Sequence, residues 1–153
     1  MATTILPSTL TVTVEEKIDI NGVANNSKNT YTNTSINEIF KRIVTCPAAN
    51  ETTVLQFATQ VYAAPGDLAV GDCKYLRITN KDDTNSCKVG YVTTNTNFQI
   101  TLGAGDSHMF GAPSSLGKGG EDTSPTFGTL ENLVKVIVQS GDVIDVEVFA
   151  ASA

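Results

Sequence analysis

The first part of the chain alternates apolar and polar residues. Threonine, glutamate, lysine and aspartate occupy the odd positions, and the apolar residues at even positions are Leu10, Val12, Val14, Ile18 and Ile20. A strict period of two predicts a β-strand that buries one face. Glu16 is the exception on the apolar face, and it marks either a bulge or the point where the strand leaves the core.

The next segment contains a hairpin signal followed by mixed signals. Asn21-Gly22 is the strongest two-residue hairpin signal, because both positions of a type I′ turn need a positive φ. The return over 23–34 is polar, and we expect a ragged edge strand or a loop there. Ser35-Ile36-Asn37-Glu38 fits a capping box, which predicts one helical turn through Phe40 that feeds a strand ending at Cys46.

Four short β-prone runs lie close together in the middle of the chain. They are separated by turn-forming residues at 80–85 and 103–106, and they cover 75–79, 87–92, 98–102 and 108–110. Further strands are predicted over 52–62, 133–138 and 143–149. Short strands divided by such turn residues indicate antiparallel sheets.

The fold class that follows is all-β. About eight to ten strands, with a turn roughly every 8–12 residues, predict an antiparallel β-sandwich of the jelly-roll or Greek-key kind. A length of 153 residues most simply forms one domain. We expect a short N-terminal arm at 1–7 and one sandwich domain over 8–153, with a long loop at 111–128.

Charge and targeting patterns narrow the function classes. The formal net charge is −6 and the basic residues are scattered, which argues against a nucleic-acid partner. The N-terminus has no cationic stretch followed by an apolar one, and no window approaches 18 consecutive apolar residues. We therefore expect synthesis in a cytoplasm, no secretion and no membrane partner.

Residues that could bind a metal are few. Cys46, Cys73 and Cys87 are widely spaced and form no C-x-x-C pair. We expect three reduced thiols, with a disulfide between two of them as the alternative. His108 is the one histidine, which leaves too few soft ligands for a metal site, and no cofactor is expected.

Motifs for catalysis or ligand binding are incomplete as well. Asp106-Ser107-His108 contains the residue types of a hydrolase triad, but neighbours in a strand point to opposite faces. The acidic run 82–85 lacks the spacing of a calcium loop, and a solvated turn is the better interpretation. The glycines at 103–105 and 117–119 match neither a dinucleotide-binding fingerprint nor a P-loop. We expect no enzymatic activity.

Three runs resemble a known family. YLRITNKDDTNSCKV, FQITLGAGDSHMF and the terminal VIDVEVFAASA are similar to segments of small β-sandwich structural proteins of tailed bacteriophages, marine and cyanobacterial phages in particular. The shared order is a strand, an acidic turn, two strands, a glycine-bearing turn and an apolar-acidic last strand. It covers roughly 36–110 and 133–153, and it implies a virion component without enzymatic activity.

Within that class we expect a capsid decoration, or cement, protein on the outer capsid surface. It would form a homo-oligomer, with a trimer favoured, and contact the major capsid protein. The alternatives are a tail, neck or fibre component and a module that binds glycans or the host surface. The candidate assembly contacts are Leu10, Val12, Val14, Ile18, Ile20, Val146, Val148 and Phe149.

Overall fold

The computed structural model describes residues 6–58, 68–114, 116–117 and 128–153. These residues form twelve strands and no helix. The strands are β1 (Ser8–Glu16), β2 (Asp19–Ile20), β3 (Val23–Ala24), β4 (Ser27–Ile36), β5 (Glu38–Cys46), β6 (Thr52–Gln56), β7 (Cys73–Asn80), β8 (Cys87–Thr93), β9 (Asn97–Leu102), β10 (Ser107–Phe110), β11 (Leu133–Gln139) and β12 (Ile144–Ser152).

Two four-stranded antiparallel sheets pack face to face. Sheet I has the strand order β10-β7-β12-β5, and sheet II has the order β6-β11-β8-β9. Alternate side chains of each sheet point into the space between them, and those of β12 include Ile144, Val146 and Val148. From sheet II, Val89 and Tyr91 enter the same core. The predicted all-β sandwich is confirmed.

A long β-hairpin, here called the arm, precedes the sandwich and runs from Ser8 to Ile36. β1 and β4 pair along their length, and β2 and β3 form its tip. Asn21 and Gly22 close the tip with φ values of 54° and 78°, as the type I′ signal predicted. The Asp19 carboxylate accepts a hydrogen bond of 2.8 Å from the Gly22 amide and holds the turn.

Of the two alternatives expected over 23–34, the edge strand is confirmed and the loop is wrong for most of that segment, because β4 pairs with β1 in a two-stranded sheet. The strand is not ragged. β4 is a continuous strand whose partners in β1 extend from Ser8 to Glu16. Its threonines and Tyr31 are good strand formers, and β1 supplies the backbone partners. Weak apolar alternation in β4 therefore did not prevent pairing, because the hydrogen-bond ladder does not depend on it.

The predicted helical turn over 35–40 is also wrong. β4 ends at Ile36 and β5 begins at Glu38, so only Asn37 lies between the two strands. The Asn37 amide donates to the Ser152 carbonyl at 2.8 Å, and Ile36 is buried against Tyr75. Pairing with β12 and this burial override the local capping pattern.

The alternation of β1 predicted that one face of this strand is buried along its whole length, and this prediction is wrong for the outer part of the strand. Leu10 and Val12 are partly buried where the arm crosses the outer face of sheet I, and they contact a small second cluster. That cluster consists of Ile36, Tyr75 and Ala151, with Phe149 beside it. Every residue from 13 to 30 is exposed, so the arm projects from the sandwich.

Some predicted segments lie partly outside the described residues. β6 begins at Thr52, as expected, and ends at Gln56, while residues 59–62 of the predicted strand are outside. Residues 1–5 of the predicted N-terminal arm are outside too. Of the long loop at 111–128, residues 111–114, 116–117 and 128 are described, and Gly117 bridges to Glu131.

Candidate functional site

The outer half of the arm exposes apolar side chains. Ile18 and Ile20 are each 53% exposed and Val23 is 61% exposed. Ile20 pairs with Val23 across the hairpin, so these two side chains share one face. Ile20 and Val23 therefore form a small contiguous apolar patch on a projecting element, which a second molecule can cover.

The eight sequence-predicted assembly contacts divide into three groups. Val14, Ile18 and Ile20 are exposed on the arm, where a neighbour can reach them. Leu10, Val12 and Phe149 pack together at the base of the arm, within the chain itself.

Val146 and Val148 are placed differently from the expectation. Both are 0% exposed and lie between the two sheets. The reason is that β12 is an interior strand of sheet I, and its even-numbered residues point inward. These two valines are core residues and cannot serve as surface contacts in the folded chain.

An apolar groove separates the base of the arm from β10. Its volume is about 210 Å³, and its lining includes Val12, Val14, Tyr31, Tyr75 and Met109. The Tyr31 hydroxyl donates to the Lys74 carbonyl at 3.4 Å, which ties β4 to the sandwich across the end of this groove.

The strand β5 forms an open edge of sheet I. It pairs with β12 on one side, and no other described strand pairs with its opposite side. Ile39 is 60% exposed and Ile43 is 56% exposed on the outer face of this strand. On the inner side, Phe40 and Arg42 line a slot of about 270 Å³ that opens between β5 and β6. Sequence alternation located the strand but could not show that one of its sides is open.

A charged network crosses the outer face of sheet I. The Arg77 guanidinium donates to the Glu147 carboxylate, and Lys41 approaches the other carboxylate oxygen at 3.6 Å. Burial alone would raise the pKa of Glu147, but the two cations lower it overall below its ordinary value. Arg77 also lies 5.9 Å from the centre of the Phe149 ring. The network joins β5, β12 and β7, and all its charged groups are paired.

The Asp106-Ser107-His108 run does not converge on one site. Ser107 Oγ lies 2.7 Å from Thr79 Oγ1 on the outer face of sheet I, whereas His108 Nδ1 lies 2.7 Å from the Tyr91 hydroxyl on the inner face. Burial lowers the pKa of His108 and raises that of Tyr91. Asp106 instead accepts a hydrogen bond from the Gly103 amide in the preceding turn. This geometry stabilises strands and a turn.

Two other carboxylates hold turns. Asp82 accepts hydrogen bonds from the Thr84 and Asn85 amides, which lower its pKa. Glu131 accepts hydrogen bonds from Thr93 Oγ1 at 2.6 Å and from the Asn95 amide at 3.0 Å, and its pKa falls to about 2. Within the described residues, no group of three or more His, Cys, Asp or Glu side chains is placed to hold a metal ion.

The three cysteines are free and buried. Burial raises the pKa of Cys73 to about 11 and that of Cys87 to about 11. Burial is also the main reason why the pKa of Cys46 is raised. Protonated thiols without access to solvent are poor nucleophiles and poor metal ligands, so the cysteines act as packing residues.

A shallow hollow lies on the outer face of sheet II, above Gly90. Its volume is about 170 Å³, and the polar side chains around it are Glu51, Lys88, Asn97, Gln99 and Gln139. Gly90 has no side chain to fill the space, and Ile137 leans into it from the neighbouring strand. The hollow offers several hydrogen-bonding groups to a polar ligand.

Comparisons with known proteins identify no relative of this chain. Neither a protein-family model, nor a curated protein, nor a solved structure matches this chain. The described parts of the chain hold no helix with the length and apolar character that a membrane crossing needs. Function must therefore be inferred from the residues and geometry of the chain itself.

Proposed function

We propose that this chain is a non-enzymatic structural protein of a virion, a decoration protein on the outer surface of a capsid. The observation that carries the proposal is the arm, a projecting hairpin whose outer half is exposed on all sides and carries Ile18, Ile20 and Val23. A solvated two-stranded ribbon is only marginally stable by itself. An arm of this kind is useful when a neighbouring molecule covers it.

The remainder of the molecule suits the same role. The sandwich is a compact platform in which no described buried side-chain nitrogen or oxygen lacks a hydrogen-bond partner. It presents on one side an arm that carries exposed apolar side chains, and it has an open sheet edge at β5. The resemblance of the three sequence runs to phage β-sandwich proteins supports a virion as the place of assembly.

The proposed partners are further copies of this chain, in a homotrimer, and the major capsid protein. The formal net charge of −6 disfavours nucleic acid, because repulsion from phosphates would oppose binding. The exposed arm residues Val14, Ile18 and Ile20 are the contacts that the structure leaves available.

Gold-labelled antibody against this chain, applied to intact particles that encode it, tests the role. Label over the capsid shell is the expected result, with the chain detected by mass spectrometry in the same purified particles. Label restricted to the tail, neck or fibres would favour that alternative position in the virion. Absence of the chain from purified particles would contradict a virion role altogether.

A glycan-binding module is the second candidate, and the hollow above Gly90 is the observation that favours it. The amide side chains of Asn97, Gln99 and Gln139 are suited to hydrogen-bonding sugar hydroxyls. A glycan array probed with the isolated protein tests this role. Binding that Gln99→Ala abolishes, and that the distant exposed change Thr30→Ala leaves intact, would favour the second candidate over the first.

A further inference from the structure

We propose that the arm of one copy of this chain adds to the open edge of β5 in a second copy, with Glu16 of the arm opposite Arg42 of the edge. The inference deepens the proposed function, because it names the contact between copies and rests on the homo-oligomer expected there. Three features carry it, namely an unpaired edge, a slot beside that edge and matching side-chain patterns.

The first feature is the edge itself. β5 spans Glu38–Cys46 and uses its backbone groups on one side to pair with β12. Its other side is unpaired among the described residues. A long unprotected edge with exposed apolar side chains, here Ile39 and Ile43, is a template for pairing with another strand. Strand addition would satisfy these backbone groups.

The second feature is the slot next to the edge. Successive side chains of an added strand point to opposite faces. One set would lie beside Ile39 and Ile43 on the outer face of sheet I, and in the arm this set includes Glu15 and Lys17, whose aliphatic stems would contact the isoleucines. The other set would enter the slot of about 270 Å³ between β5 and β6, where Phe40, Arg42 and Leu55 are among the lining residues. An occupant should therefore alternate, with apolar residues flanking an acidic one.

The third feature is that the arm has this pattern. Val14, Glu16 and Ile18 occupy alternate positions, which gives an apolar, acidic, apolar series. Phe40, Arg42 and Val44 on β5 form the matching apolar, basic, apolar series.

Because the charge is central in both series, Glu16 meets Arg42 whether the strands run parallel or antiparallel. Among the described contacts, neither of these two charged side chains has an ion-pair partner within its own chain. This pairing also explains why an acid interrupts the apolar face of β1.

A second copy, and not the same chain, supplies the arm. Asn37 alone connects β4 to β5, and the base of the arm packs on the outer face of sheet I through Leu10 and Val12. Beyond that base the arm projects into solvent, and Glu16 and Arg42 are both exposed in the chain by itself. β1 pairs only with β4 among the described strands, so its outer edge is available to a neighbour.

A charge exchange followed by sedimentation velocity tests the contact. The wild-type protein is expected to self-associate, and Glu16→Lys or Arg42→Glu is expected to weaken association about tenfold or more, since like charges then face each other. Combining both changes in one chain should restore the association constant to within about threefold of wild type. Lys81→Glu, an exposed charge reversal in the turn between β7 and β8, is the matched control and should change little.

The outcomes separate this contact from the proposed function. A wild-type chain that stays monomeric up to about 1 mM overturns the contact. Single reversals without effect, or a double variant that fails to recover, also overturn it. Circular dichroism should show all variants folded, because both side chains are exposed. Rescue by the double variant in a chain that is absent from particles would support the contact and contradict only the virion role.

Discussion

Asn80 is a buried polar side chain that holds two turns together. Its amide nitrogen donates to the carbonyls of Asn85 at 2.8 Å and Gly103 at 2.9 Å, and its oxygen accepts from the Asp82 amide at 3.1 Å. The Asn80 side chain is 0% exposed, so water does not compete for these three hydrogen bonds. Its loss would remove the partner of the Asn85 carbonyl and of the Asp82 amide, both of which are partly buried.

Asn80→Ala is therefore expected to lower the free energy of unfolding by about 2–3 kcal/mol, measured by urea denaturation. Asn25→Ala is the control, since that exposed side chain makes one long hydrogen bond of 3.4 Å to the Val23 carbonyl. The control should change stability by less than about 0.5 kcal/mol. Equal effects of the two changes would contradict the structural role of Asn80.

His108 should make stability depend on pH in a defined window. Burial lowers its pKa in the folded chain, so below about pH 6.5 the unfolded chain binds more protons. The free energy of unfolding should consequently fall as the pH falls through this window. The carboxylates of Glu131 and Glu147 have lowered pKa values, and their contribution is lost only at lower pH.

Denaturant titrations at several pH values between about 5 and 7 check this expectation. His108→Gln keeps a side chain that can hydrogen-bond to the Tyr91 hydroxyl and removes the one histidine, so the free energy of unfolding of this variant should be nearly independent of pH over the same interval. A variant whose pH dependence matched that of wild type would show that His108 is not the titrating group.

Gly90 on β8 leaves space for the side chain of Ile137 on the neighbouring strand β11. A Cβ placed on Gly90 would lie 2.8 Å from Ile137 Cγ1, closer than real contacts allow. Gly90→Ala is therefore expected to destabilise the protein by about 1 kcal/mol, although alanine in a strand is ordinarily better than glycine.

The double variant Gly90→Ala/Ile137→Ala tests the cause of that loss. In the Ile137→Ala background the clash is gone, and adding Gly90→Ala should be neutral or stabilising. The free energy of coupling from the double-mutant cycle is the measured quantity. Additive effects would mean that the two residues do not meet.

At the scale of elements, the arm should be the least protected part of the described fold. The residues from 15 to 28 are all exposed, and the ribbon extends about 20 Å beyond Val14. Backbone amides in the outer halves of β1 and β4 should exchange with deuterium at least about a hundredfold faster than those of β12, which is paired on both sides.

Hydrogen exchange read by NMR at concentrations where the chain is monomeric gives this comparison. Raising the concentration should slow exchange in the arm and in β5 together, because each covers the other in the proposed contact. Slow exchange throughout the arm of the monomer would contradict the expectation that the arm is the least protected part of the described fold.

Elements whose signals are local could be predicted from the sequence. Asn21-Gly22 specified its turn by backbone conformation alone, and the runs beginning at Tyr75, Cys87 and Phe98 are strands where the alternation placed them. The capping box at 35–38 failed because Asn37 hydrogen-bonds to Ser152, a residue distant in sequence. Local pattern carries no information about that partner.

The sequence predicted the positions of the strands better than it predicted which of their faces are buried. Alternation in β1 shows that one face is apolar, but it does not show what covers that face, and only Leu10 and Val12 are partly covered. Conversely, Val146 and Val148 were expected at a surface and lie in the core, because the strand order that places β12 inside sheet I depends on long-range pairing.

At the scale of the whole molecule, the proposed contact gives each copy one donor surface, the arm, and one acceptor surface, the edge of β5. The arm lies on the β10 side of sheet I through its apolar groove, and β5 is the opposite edge of that sheet. Two different surfaces that bind each other generate a ring when the rotation between copies closes. A ring of three copies is the arrangement that the proposed homotrimer requires.

The most direct test of the account is cryo-electron microscopy of particles that contain this chain. We expect density for the sandwich on the outer capsid lattice, with each arm lying along β5 of a neighbouring copy and Glu16 next to Arg42. Density for the chain only at the tail or neck, or particles that lack the chain, would contradict the central claim that it decorates the capsid.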